Sequence, residues 1–182
     1  MNPSITTSSH SKQESSKGIL TTATATTAKK PAPAKGQEAT AMLRADHKRV
    51  SDLFAQYEKT RAIPKKKELV AQICTELGVH AEVEEEIFYP AVKQALKDKE
   101  LVPEATVEHA TLKDLIAQVK GVEPDGEMFD AKIKVLSEYV KHHVKEEQNE
   151  IFPKAKKTKL DMYALGAQMA SRKKELLASG TP

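Results

Sequence analysis

Apolar residues recur along most of the chain at spacings of three and four, which is the period of an α-helix with one buried face. Four such stretches follow one another between about residues 41 and 157. No stretch shows the alternation of apolar and polar residues that is typical of a strand. The pattern predicts an all-α protein. Its helices are interrupted or bounded by Pro64, Pro90, Pro103, Gly121 and Pro153.

Short connections join the four predicted helices, so neighbouring helices are expected to run antiparallel. We therefore expect an up-down-up-down four-helix bundle over residues 41–157. A further amphipathic stretch, at about Leu160 to Leu177, predicts a short C-terminal helix within residues 158–182, on the outside of the bundle. Residues 1–40 are mainly Ser, Thr, Ala, Lys and Pro. Because this composition buries too little apolar surface to offset the entropy of ordering, we predict a disordered tail there.

Six titratable residues occupy positions on the helical stripes where the periodicity requires apolar side chains. Burying an unpaired carboxylate is costly, so something must compensate for the lost hydration. Four imidazoles and two carboxylates that meet in one core have the composition of a metal site, in which cationic charge supplies that compensation. The predicted ligands are His47, His80, Glu84, His109, His143 and Glu147.

The spacing of these residues repeats in the two halves of the chain. Pairs of the form His-x-x-x-Glu begin at His80 and at His143, and residues four apart lie one turn apart on the same helix face. His47 precedes the first pair by 33 residues, and His109 precedes the second by 34. Each half therefore offers one histidine and then a chelating pair. The helix lengths allow the first histidine of each half and the histidine of its chelating pair to lie at about the same level along the bundle.

Two alternatives stay open from the residues alone. His142 with Glu146 has the same spacing as His143 with Glu147, and we prefer the second pair because it continues the apolar stripe of its helix. A single core histidine is more often a hydrogen-bonded structural residue than a ligand. Four histidines and two glutamates in a repeated pattern favour metal over a metal-free structural bundle.

Other polar residues near the six are expected in supporting positions. Asp46 and Glu108 each precede a predicted ligand and fall off the stripe, which predicts surface or capping roles. Glu85 is expected in solvent, from which it could accept a hydrogen bond from an imidazole N–H. Tyr89 is expected to pack near the site.

The formal net charge of +3 does not belong to the predicted bundle. Of 29 basic and 26 acidic groups, five and two lie in residues 1–40, which leaves 24 of each. A neutral bundle with few aromatic residues lacks the charge of a nucleic-acid binder, so we expect no nucleic-acid partner. No apolar run approaches the ~20 residues that cross a bilayer, which predicts no membrane partner. A single cysteine, Cys74, and no secretory signal favour the cytoplasm.

Four segments within about residues 42–157 together resemble the motifs of the hemerythrin-like HHE cation-binding family: DHKRVSDLF, HAEVEEEIFYP, EHATLKDLI and HHVKEEQNEIFP. The resemblance implies a non-haem di-iron site in which histidines cap each iron and Glu84 and Glu147 bridge the pair. It also implies an open coordination position for dioxygen or a related small ligand. Hemerythrins proper use a further histidine, for which this chain offers only the ambiguous His142.

Donor chemistry favours iron over zinc. Imidazoles with two bridging carboxylates and no cysteine suit a redox-active metal pair, whereas structural zinc needs only four ligands. Ferritin-like di-iron proteins carry Glu-x-x-His instead of His-x-x-x-Glu. No residue stands out as a substrate-positioning group or proton donor, so we expect a protein that senses, stores or carries dioxygen, nitric oxide or iron. The alternative is a di-iron enzyme acting on peroxide, dioxygen or nitrogen oxides, and the sequence leaves the oligomeric state open.

Overall fold

A computed structural model describes residues 36–124 and 126–180, so most of the predicted tail lies outside the described residues. All regular secondary structure in the described part is helical. None of the described helices is both long and apolar enough to cross a bilayer. The helices are α1 (Ala39–Lys59), α2 (Ile63–Val83), α3 (Tyr89–Leu96), α4 (Leu101–Ala117), α5 (Glu127–Glu146), α6 (Phe152–Lys156) and α7 (Met162–Ser179), with π-helical turns π1 (Glu84–Phe88) and π2 (Glu147–Ile151).

Four rods make up the bundle. The first rod is α1, the second runs without a break through α2, π1 and α3, the third is α4, and the fourth runs through α5, π2 and α6. α1 packs on α2 and α4 packs on α5, each pair across a short connection that requires antiparallel directions. The prediction of an all-α bundle followed by a C-terminal helix is confirmed.

Two apolar clusters fill the bundle and leave a polar layer between them. One cluster includes Leu43, Phe88 and Phe152 and extends under α7. The other includes Phe54 and Leu136 and fills the end where α1 meets α2. In the first, third and fourth rods the predicted ligands fall between the residues of the first cluster and those of the second, and in the second rod His80 and Glu84 alternate with Val79 and Val83 of the first cluster. The apolar packing therefore fixes the level of the site in the middle of the bundle.

Proline explains both π turns. Pro90 has no N–H to donate to the carbonyl four residues earlier, and just before it the N–H of Tyr89 donates instead to the carbonyl of Glu84, five residues back. The fourth rod repeats this arrangement before Pro153, with a π turn that starts at Glu147. The second rod continues past Pro90 to Leu96, as the sequence predicts, whereas the fourth continues past Pro153 to Lys156, where the sequence predicts a bend or an end. π turns of this kind occur frequently at functional sites.

The first helix ends earlier than the sequence predicts. The pattern places its end at Pro64 and the lysines that follow, whereas α1 ends at Lys59 and Pro64 lies in the first turn of α2. A proline fits there because the first turn of a helix does not use its N–H groups. Lys66 in the same turn is buried and donates to both carboxylate oxygens of Asp130 at 2.7 Å.

α7 covers one side of the bundle, along α1, α2 and π1. Met169 is fully buried in this interface. Two cations of α7 pair with acidic residues of the bundle, Lys173 with Asp46 at 2.6 Å and Arg172 with Glu86 at 2.6 Å. The C-terminal helix therefore lies outside the four rods, as predicted, but contributes to the core.

Gly166 allows α7 to approach the start of α1. A Cβ at Gly166 would overlap the carbonyl oxygen of Gln37 and lie 2.9 Å from the amide nitrogen of Ala39, both backbone atoms. Gly166→Ala is therefore expected to lower the free energy of unfolding by about 1–3 kcal/mol, although alanine favours helix by about 1 kcal/mol. Thermal unfolding of this variant checks the prediction, with the exposed Ala170→Gly as the control for helix propensity. A stabilised Gly166→Ala variant would contradict the close packing.

Candidate metal centre

The structure brings the six predicted ligands together in the middle of the bundle, each of them at most 7% exposed. His142, the alternative to His143, lies outside this buried group, with its side chain 58% exposed. The six side chains come from six different elements: His47 from α1, His80 from α2, Glu84 from π1, His109 from α4, His143 from α5 and Glu147 from π2.

The four imidazoles form two close pairs. Nε2 of His47 lies 3.0 Å from Nε2 of His80, and Nε2 of His109 lies 3.0 Å from Nε2 of His143. Two nitrogens that each lie about 2.1 Å from one ion, at roughly a right angle, are separated by about 3 Å. Each pair therefore matches two neighbouring ligands of a single metal ion.

Each buried carboxylate reaches both imidazole pairs. Oε2 of Glu84 lies 3.1 Å from Nε2 of His80 and 3.4 Å from Nε2 of His109. Oε2 of Glu147 lies in the same way 3.2 and 3.6 Å from one imidazole of each pair. Oε1 of Glu84 and Oε2 of Glu147 accept no hydrogen bond although both side chains are fully buried. Because an unsatisfied buried carboxylate is costly, these oxygens fit a pair of cations placed between the histidines.

The Nδ1 atoms on the outer side of three imidazoles face carboxylates. A carboxylate at Nδ1 holds the ring proton there and leaves Nε2 free to bind a metal ion. The fourth imidazole, that of His47, has the side-chain amide of Gln148 3.0 Å from its Nδ1. The three carboxylate contacts are Glu108 to His143 at 2.7 Å, Glu85 to His109 at 3.0 Å and Asp46 to His80 at 3.7 Å.

The prediction of surface or capping roles for Asp46 and Glu108 is wrong. Both are buried, and each contacts the imidazole of the next helix in its own half of the chain. The reason is that a residue one step before an inward-facing histidine points sideways, toward the neighbouring antiparallel helix, and not outward. The repeated acid–histidine pairs of the sequence carried this signal. Glu85 makes the hydrogen bond that the sequence left open for it.

Tyr89 lies near the site as the sequence predicts, but the contacts of its hydroxyl group were not predicted. Tyr89 and Phe152 occupy equivalent positions, each directly before the proline of its rod. The Tyr89 hydroxyl donates to Oε1 of Glu147 at 2.9 Å and lies 3.2 Å from Nε2 of His109. Phe152 instead stacks on His47 with 5.8 Å between ring centroids. At this position the two halves of the centre differ by one hydroxyl group, which a comparison of Tyr-Pro with Phe-Pro in the repeated segments could have indicated.

The electrostatics of the centre favour positive charge. Burial lowers the pKa of His80, but the charge of Glu84 and the contact with Asp46 outweigh burial and raise it to about 10. The pKa of His143 is also raised against the effect of burial, chiefly by its hydrogen bond to Glu108. Burial raises the pKa of Glu84, but the neighbouring imidazoles hold it well below its ordinary value. A metal ion competes with protons for the same nitrogens and is favoured by the same negative potential.

Two spaces adjoin the histidines. A cavity of about 20 Å³ lies against all four imidazoles and is otherwise walled largely by apolar residues such as Val50 and Leu112. A wider groove of about 320 Å³ runs between α1 and α5 to His47 and carries Lys141 and Lys145. The cavity has room for about one water-sized molecule. The groove provides an opening from the surface to one side of the centre.

Fold and site together define a helical-bundle protein with a buried group of histidines and glutamates that could hold metal ions. Residues 38–155 match the hemerythrin HHE cation-binding domain family, and the chain belongs to that family. The fold is similar to the crystal structure of a hemerythrin HHE cation-binding domain-containing protein from Mycobacterium kansasii. The TM-score is 0.68 at 21% identity, over 79% of this chain and 89% of that one.

One relative is much longer than this chain. A protein of Nostoc sp. strain PCC 7120 named "DNA nickase" is 31% identical over 111 residues, which are 61% of this chain and 31% of that protein. This chain therefore spans about a third of the length of that relative. Most of that relative lies outside the matched residues, and its name describes the whole protein.

Proposed function

We propose that the chain binds two iron ions in the buried centre and that a diatomic molecule, dioxygen or nitric oxide, binds there as the functional ligand. The observation that carries the proposal is the arrangement of two imidazole pairs on either side of two fully buried carboxylates, each of which leaves one oxygen without a hydrogen bond. Imidazole and carboxylate donors without cysteine suit iron. A bound iron pair supplies the redox chemistry that dioxygen, nitric oxide or peroxide requires.

Each imidazole pair provides ligands for one of the two ions. His47 and His80 would hold one ion and His109 and His143 the other, with Glu84 and Glu147 within reach of both. Carboxylates and an amide at the outer ring nitrogens keep the imidazoles oriented, so that the centre is preorganised before the metal arrives.

The spaces beside the histidines favour a very small ligand. A cavity of about 20 Å³ with largely apolar walls admits only a very small molecule and disfavours a charged or larger one. The groove between α1 and α5 gives such a ligand a path from solvent to His47.

Metal analysis of the purified protein tests the proposal. Protein expressed with iron and exposed to air is expected to contain two irons per chain and to absorb in the near ultraviolet. Removing and restoring dioxygen, or adding nitric oxide, is expected to change the spectrum reversibly. A colourless protein without iron, or one that contains a single zinc ion, would contradict the proposal.

A second candidate function, consumption of peroxide, is favoured by Tyr89. The Tyr89 phenol keeps its proton at neutral pH, as tyrosine ordinarily does, and its hydroxyl donates to a carboxylate oxygen of the centre at 2.9 Å. A buried O–H group in that position can donate a proton to a reacting oxygen atom.

The Tyr89→Phe variant separates the two functions. If the centre turns over peroxide with Tyr89 as proton donor, this variant should still contain two irons but consume peroxide about 10²–10⁴ times more slowly. Tyr139→Phe is the matched control, because Tyr139 is half-buried against the apolar cluster at the other end of the bundle. The rate of peroxide loss and the iron content of both variants are measured. Reversible ligand binding that is unaffected by Tyr89→Phe, without sustained peroxide loss, would favour carriage or sensing.

A further inference from the structure

His142 and Glu146 form a second chelating pair on the surface of α5. Nε2 of His142 lies 3.3 Å from Oε1 of Glu146 and 3.5 Å from Oε1 of Glu108 on α4. One ligand atom from each of the three residues falls within a group that spans at most 4.8 Å. One imidazole and two carboxylates at this separation can hold a divalent cation, with water molecules as the remaining ligands.

The equivalent positions in the first half of the chain carry no such pair. His142 and Glu146 directly precede His143 and Glu147, and the residues that directly precede His80 and Glu84 are Val79 and Val83. Both valines are buried in the apolar cluster that extends under α7. Chelating residues therefore stand on the side of the centre that α7 leaves uncovered.

The acidic residue that directly precedes the first histidine also has different partners in the two halves of the chain. Asp46, the counterpart of Glu108, accepts from the ammonium group of Lys173 on α7 at 2.6 Å. Glu108 instead directs one oxygen to Nδ1 of His143 at 2.7 Å and presents the other to His142. A cation bound by Glu108, His142 and Glu146 would occupy the position that corresponds to the ammonium group in the covered half.

A small cavity connects this surface cluster with the buried centre. Its volume is about 40 Å³, and Glu108, Glu146 and the buried Glu147 all contribute to its wall. Glu104 and Glu150 line it as well. Glu147 is fully buried, and its Oε2 accepts no hydrogen bond. The wall of the cavity therefore includes both the acidic surface cluster and a fully buried predicted ligand of the centre.

We propose that Glu108, His142 and Glu146 form a loading site, which takes a divalent metal ion from solution and passes it to the buried centre along Glu147. The proposal rests on the proposed function, since it assumes that the centre holds metal ions. The other opening to the centre, the groove between α1 and α5, carries Lys141 and Lys145, whose charge disfavours a cation. Cations and small ligands thus have separate routes.

Uptake of Co²⁺ by the metal-free full-length protein tests the loading site. The double variant His142→Ala with Glu146→Gln is compared with the wild type and with Glu138→Gln. Glu138 is an exposed residue of the same helix that pairs with Lys134 and Lys141, so its replacement removes the same charge away from the site. Visible absorption follows the rate of uptake, and equilibrium dialysis counts the ions bound.

The double variant is expected to bind the same two ions at equilibrium but to fill the centre at least about tenfold more slowly, because the acidic opening no longer concentrates the cation. Glu138→Gln should fill at the wild-type rate. With the centre full, the wild type and Glu138→Gln should bind a third, weaker Co²⁺ that the double variant lacks.

Two outcomes overturn the loading site. If the wild type binds two ions and the double variant fills at the same rate, the loading site is wrong while the proposed function stands. If the wild type never binds two ions, the proposed function fails, and the loading site fails with it.

Discussion

Glu84→Gln is expected to abolish binding of the ion pair, with the number of ions per chain falling from two to one or fewer. Oε2 of Glu84 lies within 3.4 Å of one imidazole of each pair, so a single carboxylate serves both metal positions. A neutral amide cannot bridge two cations, and it removes one of the two buried negative charges that attract them. The loss in affinity should exceed the ~100-fold that replacement of an outer hydrogen-bond partner produces.

The two glutamates that follow Glu84 in the chain provide graded controls. Glu85 contacts the outer nitrogen of His109 and the ammonium group of Lys113, so Glu85→Gln should weaken binding by about 10–100-fold and keep two ions at saturation. Glu86 is more exposed and pairs with Arg172, so Glu86→Gln should leave metal binding unchanged. Competition with a coloured chelator measures all three variants. Equal affinities in Glu84→Gln and Glu86→Gln would remove Glu84 from the ligand set.

Removal of the metal is expected to lower the thermal midpoint of unfolding by roughly 8–16 °C. A ligand present at about 1,000 times its Kd stabilises the folded state by about 4 kcal/mol, and the unfolded chain has no preformed site. Without metal, the buried Glu84 and Glu147 depend on the imidazoles for positive charge, and the burial of His47 lowers its pKa. The midpoint is measured by circular dichroism with and without a chelator.

The Glu84→Gln variant is also the control for this experiment. Because it should hold no ion pair, its midpoint should respond little to the chelator. A wild-type protein that melts at the same temperature with and without metal would argue strongly against a metal centre in the core.

The sequence predicted the bundle and the convergence of the six ligands because both depend on helical periodicity. His47, His109 and His143 lie on the apolar stripes of their helices, so their inward direction follows from the same pattern that predicts the core. The repeated His-x-x-x-Glu spacing then places each glutamate one turn from its histidine. Ordinary α-helical geometry is sufficient for this part of the site.

The rest of the site depends on features that periodicity does not describe. Each π turn adds one residue to a helical turn, so that residues five apart come onto the same face. In this way the Tyr89 hydroxyl comes within 3.5 Å of Oε2 of Glu84. In a regular α-helix the two residues would lie on different faces. The contacts of Asp46 and Glu108 depend on the neighbouring helix, and the burial of Val79 and Val83 depends on where α7 packs. These are tertiary contacts, and no local pattern specifies them.

Diffraction from crystals of the iron-loaded protein, recorded at the iron absorption edge, tests the central claim most directly. The anomalous map should show two peaks inside the bundle, one within bonding distance of His47 and His80 and the other within bonding distance of His109 and His143. Both peaks should also lie within bonding distance of Glu84 and Glu147. A single buried peak, or iron found only at the exposed His142 and Glu146, would contradict the account.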